Sequence, residues 1–205
     1  MTELIPPPLQ PCYPKHLINC WRLADGRTIT IRPIRHDDGA LEQDFVRSLS
    51  PRTRYYRFFS AIRELSPAML DRLTHIDYRR QRTLVAVVYK DGVETQIGMA
   101  QYVAEPHVDS CDLAIVVHDA WQRQGLGSLL IDSLIRCARA AGFSHIEGDV
   151  MADNYAMLKL VRSLGFSVSM SPADATLVWV RKTLALASDY FGALSHPALA
   201  VPCAG

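Results

Sequence analysis

Gln122-Arg123-Gln124-Gly125-Leu126-Gly127 stands between an apolar run, Cys111 to Val117, and a segment in which Leu126, Leu129, Leu130, Leu134, Cys137, Ala138 and Ala141 recur at steps of three and four. The first pattern predicts a strand, and the second an amphipathic helix that Gly142 ends. A helix leaves its first N–H groups without internal partners and carries partial positive charge there, so a turn that wraps them around a phosphate makes an anion site. Gly125 and Gly127 carry no Cβ to hold a pyrophosphate away, and they reach dihedrals that other residues adopt only at a cost. A tight strand-to-helix junction asks for the same glycines, so the surroundings must separate the two readings. A dinucleotide fold wants a third glycine near position 130 and an acidic residue about 20 positions on; position 130 is Leu130. A P-loop wants Lys directly before its Ser or Thr, and here Ser128 follows Gly127 with no lysine.

Working outward, Arg27 to Arg32 reads as a strand, and Asp37 or Asp38 as the cap of a helix reaching Leu49. Ser50-Pro51 and Ser66-Pro67 open two more short helices, running to Ser60 and toward Asp77. Leu84 to Tyr89, Gln96 to Val103 and Cys111 to Val117 form a meander, with Asp91 and Gly92 in its first turn. Past the strong helix, His145 to Val150 is a strand, and Asn154 caps a helix that runs to Leu164 and stops at Gly165. Phe166 to Met170 and Thr176 to Arg181 close the sheet. The class is α+β, a mixed and mostly antiparallel twisted sheet of about six to seven strands flanked by helices. The expected organisation is a proline-rich arm over residues 1–20, one domain over 21–183 and a tail over 184–205.

The 205 residues, 49% of them hydrophobic and 21% charged, suit one ordinary core. A net charge of +1, from 22 basic and 21 acidic residues, offers no global field for nucleic acid or an anionic membrane. The five cysteines are scattered without C-x-x-C spacing, which predicts neither a disulfide framework nor a metal site and points to a reduced, cytoplasmic chain. No uncharged apolar run approaches the roughly 18 residues of a membrane span, and no signal peptide is expected. Arg52, Arg54 and Arg57 interleave with Tyr55, Tyr56, Phe58 and Phe59. Stacking on nucleic acid is one reading; the favoured one has the aromatics buried against the sheet and the arginines solvated.

Gln122-x-x-Gly125-x-Gly127 resembles the Q/R-x-x-G-x-G/A signature of GNAT-family N-acetyltransferases, as Leu113 to Val117, Asn154 and Leu164-Gly165-Phe166 resemble its neighbouring segments. Ser50-Pro51-Arg52-Thr53-Arg54-Tyr55-Tyr56-Arg57-Phe58-Phe59, with Asn154-x-x-Met157-Leu158-x-Leu160, is similar to the acetyltransferase domain of Pat-like bacterial protein lysine acetyltransferases. Those often carry a second domain, for which this length leaves no room. The resemblance implies a GNAT-like fold, acetyl-CoA as co-substrate without a metal, and a primary amine, such as a protein lysine or a small molecule, as acceptor. It places the pyrophosphate on residues 122–128, that is Gln122, Arg123, Gln124, Gly125, Leu126, Gly127 and Ser128. It also implies main-chain pairing of Ile115, Val116 and Val117 with the pantetheine arm, and makes the Val116 N–H the donor to the reacting carbonyl. Asn154 would cap its helix and contact the cofactor arm, and residues 52–59 would line the acceptor groove.

A lysine amine with an ordinary pKa near 10.4 is almost wholly protonated at neutral pH, so transfer needs a base. By the two-residue period Asp112 shares a side of its strand with Ala114 and Val116, the odd charge in an apolar run. The family fills this position with glutamate; aspartate is one methylene shorter, which favours a water relay. Glu105, His107 and His118 are alternative bases. The tyrosine that many family members place four residues before the LGF glycine, to protonate the thiolate, is replaced by Val161, with Tyr155 as a substitute nearly two turns away. That replacement leaves open a non-catalytic acyl-CoA sensor beside the enzyme.

Overall fold

A computed structural model describes residues 12–23, 26–90, 92–171, 174–184 and 200–202. Asp91, most of the proline-rich arm and most of the tail lie outside them. Among the described residues nine strands form one sheet: β1 Asn19–Leu23, β2 Thr28–Pro33, β3 Gln81–Lys90, β4 Val93–Val103, β5 Ser110–Val117, β6 His145–Met151, β7 Ser167–Met170, β8 Leu177–Thr183 and β9 Ala200–Pro202. The helices are α1 Gly39–Ser48, α2 Pro51–Phe58, α3 Pro67–Thr74, α4 Leu126–Ala140 and α5 Tyr155–Ser163. The spatial order is β7-β8-β6-β5-β4-β3-β2-β1-β9. Among the described strands only β5 and β6 pair in parallel, because α4 carries the chain between these neighbours as a crossover.

The expected six to seven strands become nine. β1 and β9 are the additions, and they pair with each other at one edge of the sheet. In β1 only Leu23 is buried, so no alternation of apolar and polar residues announces the strand.

Helix ends follow local chemistry. The Ser50 and Ser66 hydroxyls accept the Thr53 and Met69 amides, each with proline next in the chain. α4 and α5 end alike: Phe143 N–H donates to the Ala138 carbonyl and Gly142 N–H to Arg139, while Phe166 donates to Val161 and Gly165 to Arg162. This paired closure requires the positive φ of 86° at Gly142 and 77° at Gly165, and it buries the phenylalanine that follows. Asp38 occupies the N-cap of α1 but its carboxylate caps nothing. It is committed to Arg32, which is 1% exposed and binds both oxygens of Asp38, at 2.6 and 2.9 Å, and both of Glu94, at 2.9 and 3.0 Å.

The sheet buries both faces. Leu130, Ile131 and Leu134 of α4 cover one, together with Leu158 and Val161 of α5. Phe45 and Val46 of α1 and Leu73 of α3 cover the other. Amid this second layer Glu42 is fully buried, accepting a 2.6 Å bond from Gln96 Nε2. Burial pushes its pKa up to about 7, against the opposing pull of Gln96 and Arg57. A carboxyl raised from 4.5 to about 7 on folding binds more protons folded than unfolded, so its ionisation costs stability as pH rises through that window. Glu42→Gln should therefore melt like the wild type below about pH 4.5 and gain relative to it, by up to about 3 kcal/mol, by pH 8. Thermal melts across pH check this, and equal wild-type and variant profiles would contradict it.

Candidate active site

β5 and β6 pair only over Ser110–Asp112 with His145–Glu147. β5 then stays with β4 as far as Val117, and β6 stays with β8 as far as Met151. The sheet splits between them. At the split Gly148 is packed so closely that a Cβ there would lie 2.8 Å from the Leu113 carbonyl oxygen. Glycine in a strand marks such backbone approach. The opening is a cleft of about 960 Å3 lined by β5 from Leu113 to Val117, Gly148 to Val150, the loop before α4, the start of α5 and one side of α2.

The direction of the β5 main chain fixes its donors. His118 N–H bonds the Ile97 carbonyl, on the β4 side, while the Val117 carbonyl accepts from Gln122 Nε2 at 3.0 Å, on the cleft side. By alternation Val117 and Ile115 turn their N–H groups into the cleft, and Val116 turns its own into the ladder toward Met99. The Val116 N–H, expected to face the reacting carbonyl, thus points away from the cleft, because a shift of one residue along a strand reverses the direction of its N–H. The Val116 side chain is buried in the second core layer.

The loop is held from three sides. Asp119 Oδ1 accepts the Ser50 and Thr53 hydroxyls, each at 2.7 Å, and Oδ2 accepts the Ser50 amide at 2.9 Å. Partial burial works against its charge, yet these bonds hold the Asp119 carboxyl below its ordinary range. Gln122 bridges Val117 and Thr53. Arg27 stacks 4.0 Å over the Trp121 ring and donates to Gln124 Oε1, while Gln124 Nε2 donates to the Ala120 carbonyl. Between these anchors Arg123 and Gly125 take φ of 61° and 85°, a conformation that turns successive amides to one side. The amides of residues 123–128 make no hydrogen bond to any described residue. A diphosphate fits this ring of donors at the start of α4.

Gln122, Arg123, Gly125, Gly127, Ser128 and Asn154 all line the cleft with Ile115, Val116 and Val117. Two expected side chains do not: Gln124 is turned to Arg27, and Leu126 is 1% exposed in the core. A Cβ on Gly127 would meet Leu160 of α5 at 3.0 Å, so this glycine serves helix contact as well as the loop. Asn154 Oδ1 accepts the Met157 amide at 3.2 Å.

Asp112 lies just below the lining, exposed on the face of β5 that it shares with Ala114. Partial desolvation by the surrounding protein, then Glu147, Glu105 and Asp149, raise its pKa even though the side chain reaches solvent. Asp149, on the same face of β6 as Glu147, does line the cleft. Of the alternative bases, Glu105 and His107 are exposed, and the His118 ring accepts the Ala120 amide. Val161 is fully buried, and Tyr155 stands at the cleft mouth, 76% exposed.

The expectation for residues 52–59 is reversed in part. Tyr55 and Phe59 are exposed, while Arg54 turns inward to the carbonyls of Arg47, Leu49 and Ile62. The unpaired carbonyls at the end of α1 need donors more than the guanidinium needs water. Arg57 also turns in, to the cleft.

With this geometry in place, residues 47–166 match the acetyltransferase (GNAT) family. An acetyltransferase of Pseudomonas aeruginosa is 40% identical over 162 residues, covering 79% of this chain and 87% of that protein. The acetyltransferase Pat of Mycolicibacterium smegmatis is 32% identical over 130 residues, 63% of this chain but 35% of that longer protein. The GNAT domain of PAT from S. lividans shares the fold at a TM-score of 0.77 and 28% identity, over 84% of this chain and 100% of that domain. YncA of Salmonella typhimurium, solved with its cofactor acetyl-CoA, shares it at 0.59 and 21% identity, over 82% and 98%. The chain belongs to the GNAT acetyltransferase family and is an acetyltransferase.

Gly148→Ala drives a methyl into backbone that cannot swing aside. It should cost about 1–3 kcal/mol and weaken coenzyme A binding with it, read by thermal melt and calorimetry; a silent substitution would show that the two strands do not touch there.

Proposed function

We propose that this enzyme transfers the acetyl group of acetyl-CoA to a primary amine, the side chain of a protein lysine among them, by direct attack in a ternary complex. The reading is carried by the run of unpaired amides at residues 123–128, which opens onto the same cleft as the Ile115 and Val117 donors. The loop holds the diphosphate and the free edge of β5 pairs with the pantetheine arm, as an added strand would. The Ile115 N–H then donates to the thioester oxygen as it gains charge. Asn154 borders the same arm.

The amine nitrogen forms the new bond to the carbonyl carbon as the carbon–sulfur bond breaks. Asp112 takes the ammonium proton through water, being too far below the lining to touch the acceptor directly. Its raised pKa makes it a stronger base once ionised, so activity rises with pH through that value. The carboxylates of Asp112, Glu147 and Asp149 on one face favour a cationic acceptor. The thiolate leaves with a solvent proton, which its ordinary pKa near 8.5 permits. Free cysteines at Cys12, Cys20, Cys111 and Cys137 accord with a cytoplasmic setting.

The buried Val161 favours the second reading, an acyl-CoA sensor without turnover. Calorimetry with acetyl-CoA and thiol release over a panel of amines separate them, since binding with no release selects the sensor. In the enzyme, Asp112→Asn should lower kcat at pH 7 by roughly 100-fold or more and leave acetyl-CoA affinity nearly intact. The deficit should shrink toward pH 10, where the amine loses its proton unaided. Turnover that is unchanged across pH would remove Asp112 from the mechanism.

A further inference from the structure

Arg57 is the side chain in the cleft that packing alone does not explain. Its guanidinium donates to Gln101 Oε1 at 3.1 Å and lies 5.0 Å from the centre of the Phe58 ring. Its Nε is shut off from solvent and has no hydrogen-bond partner among the described residues. Glu42 beneath it supplies opposite charge, yet the two form no ion pair within 4 Å, and Glu42 Oε1 is likewise unpartnered. Arg57 is half-buried, and a shielded Nε without a partner is costly unless something that enters the cleft uses it.

Its level in the cleft says what that is. Gln101 pairs with Ala114 on β5, two residues from Asp112 and well before the phosphate loop begins at residue 122. Arg57 therefore faces the reacting end of the cleft. The other two cleft arginines differ: Arg52 is exposed and held by the Tyr56 hydroxyl, and Arg123 is exposed on the phosphate loop. The same face carries Asp112, Glu147 and Asp149, which suit an ammonium group. A fixed cation among them suits an oxygen borne by the same acceptor.

We propose that Arg57 binds a carbonyl or carboxylate oxygen of the acceptor close to its amine. The proposal rests on the reading of the chain as an amine acetyltransferase and assigns it a specificity-determining residue. A peptide carbonyl and a free α-carboxylate present the same chemistry to the guanidinium.

Bisubstrate analogues test this without turnover. Coenzyme A is joined at sulfur, through an acetyl bridge, to the Nε of Nα-acetyl-lysine N-methylamide, to the Nε of free lysine, or to butylamine. Each is titrated calorimetrically into the full chain beside coenzyme A alone. At least one oxygen-bearing analogue should bind the wild type about 10- to 100-fold more tightly than the butylamine analogue. The tighter of the two identifies a peptide or a free amino acid as the source. The preference should fall to near unity in Arg57→Met and be only partly kept in Arg57→Lys, which lacks the planar fork. Because Arg57→Met also removes the cation that favours ionised Glu42, the Glu42→Gln/Arg57→Met double variant takes that carboxyl out of the comparison and should show the same loss. A purely structural arginine would change all analogues alike. Equal binding of the analogues by the wild type, or a preference that survives in the double variant, overturns the proposal while leaving the acetyltransferase reading intact. Failure of coenzyme A itself to bind defeats that reading, and this proposal with it.

Discussion

Two neighbouring strands that begin side by side and then part are the feature on which everything else in this fold depends. β5 and β6 share three residue pairs, meet a last time where Gly148 lies against Leu113, and diverge because each keeps a better partner on its outer side. An unpaired strand edge inside a sheet would normally be an expensive defect. Here the edge consists of donors at Ile115 and Val117, and a chain that lies along it can take up their bonds. The cleft is thus a gap in the hydrogen-bond ladder rather than a hollow in the core, and this is why its walls are main chain on one side and helix ends on the other.

The same economy runs through the phosphate loop. Its amides stay unpaired because its side chains are occupied elsewhere: Gln122 with Val117, Gln124 with Arg27, and the flanking Asp119 with Ser50 and Thr53. The Asp119 contacts tie the loop to the N-terminus of α2. The helix and the loop, which line the same cleft, are therefore one connected structure. A shift of α2 by a fraction of an ångström would be felt at the loop through bonds of 2.7 Å.

Buried charge separates structural from functional positions. Arg32 is enclosed but fully answered by two carboxylates, which braces β2 against the start of α1 and the β4 end of the hairpin. Glu42 is equally enclosed and Arg57 half-buried, and each keeps one shielded atom without a partner among the described residues. Burial depresses the pKa of Arg57, with Glu42 partly offsetting it, and raises that of Glu42. The contrast lies in geometry: the first arginine faces protein on all sides, the second faces the cleft.

The sequence by itself determined what depends on short-range rules. The Ser-Pro caps, the helix period from Leu126 to Ala138, the glycine-phenylalanine stops at Gly142 and Gly165, and the α+β order follow from spacing and backbone preference within a few residues. The loop at Gln122 to Gly127 was legible for the same reason, since glycines at a helix start have a local meaning. Tertiary structure decided what depends on packing partners that no local pattern names. It made β1 a strand by pairing it with β2 and β9, turned Arg54 to carbonyls five to eight residues away and Arg57 to the cleft, and committed Asp38 to Arg32 instead of a cap. It also decided which β5 amides face the cleft, those of Ile115 and Val117 and not that of Val116. Periodicity reports which side chains share a face, but only a partner strand fixes the edge toward which each N–H points.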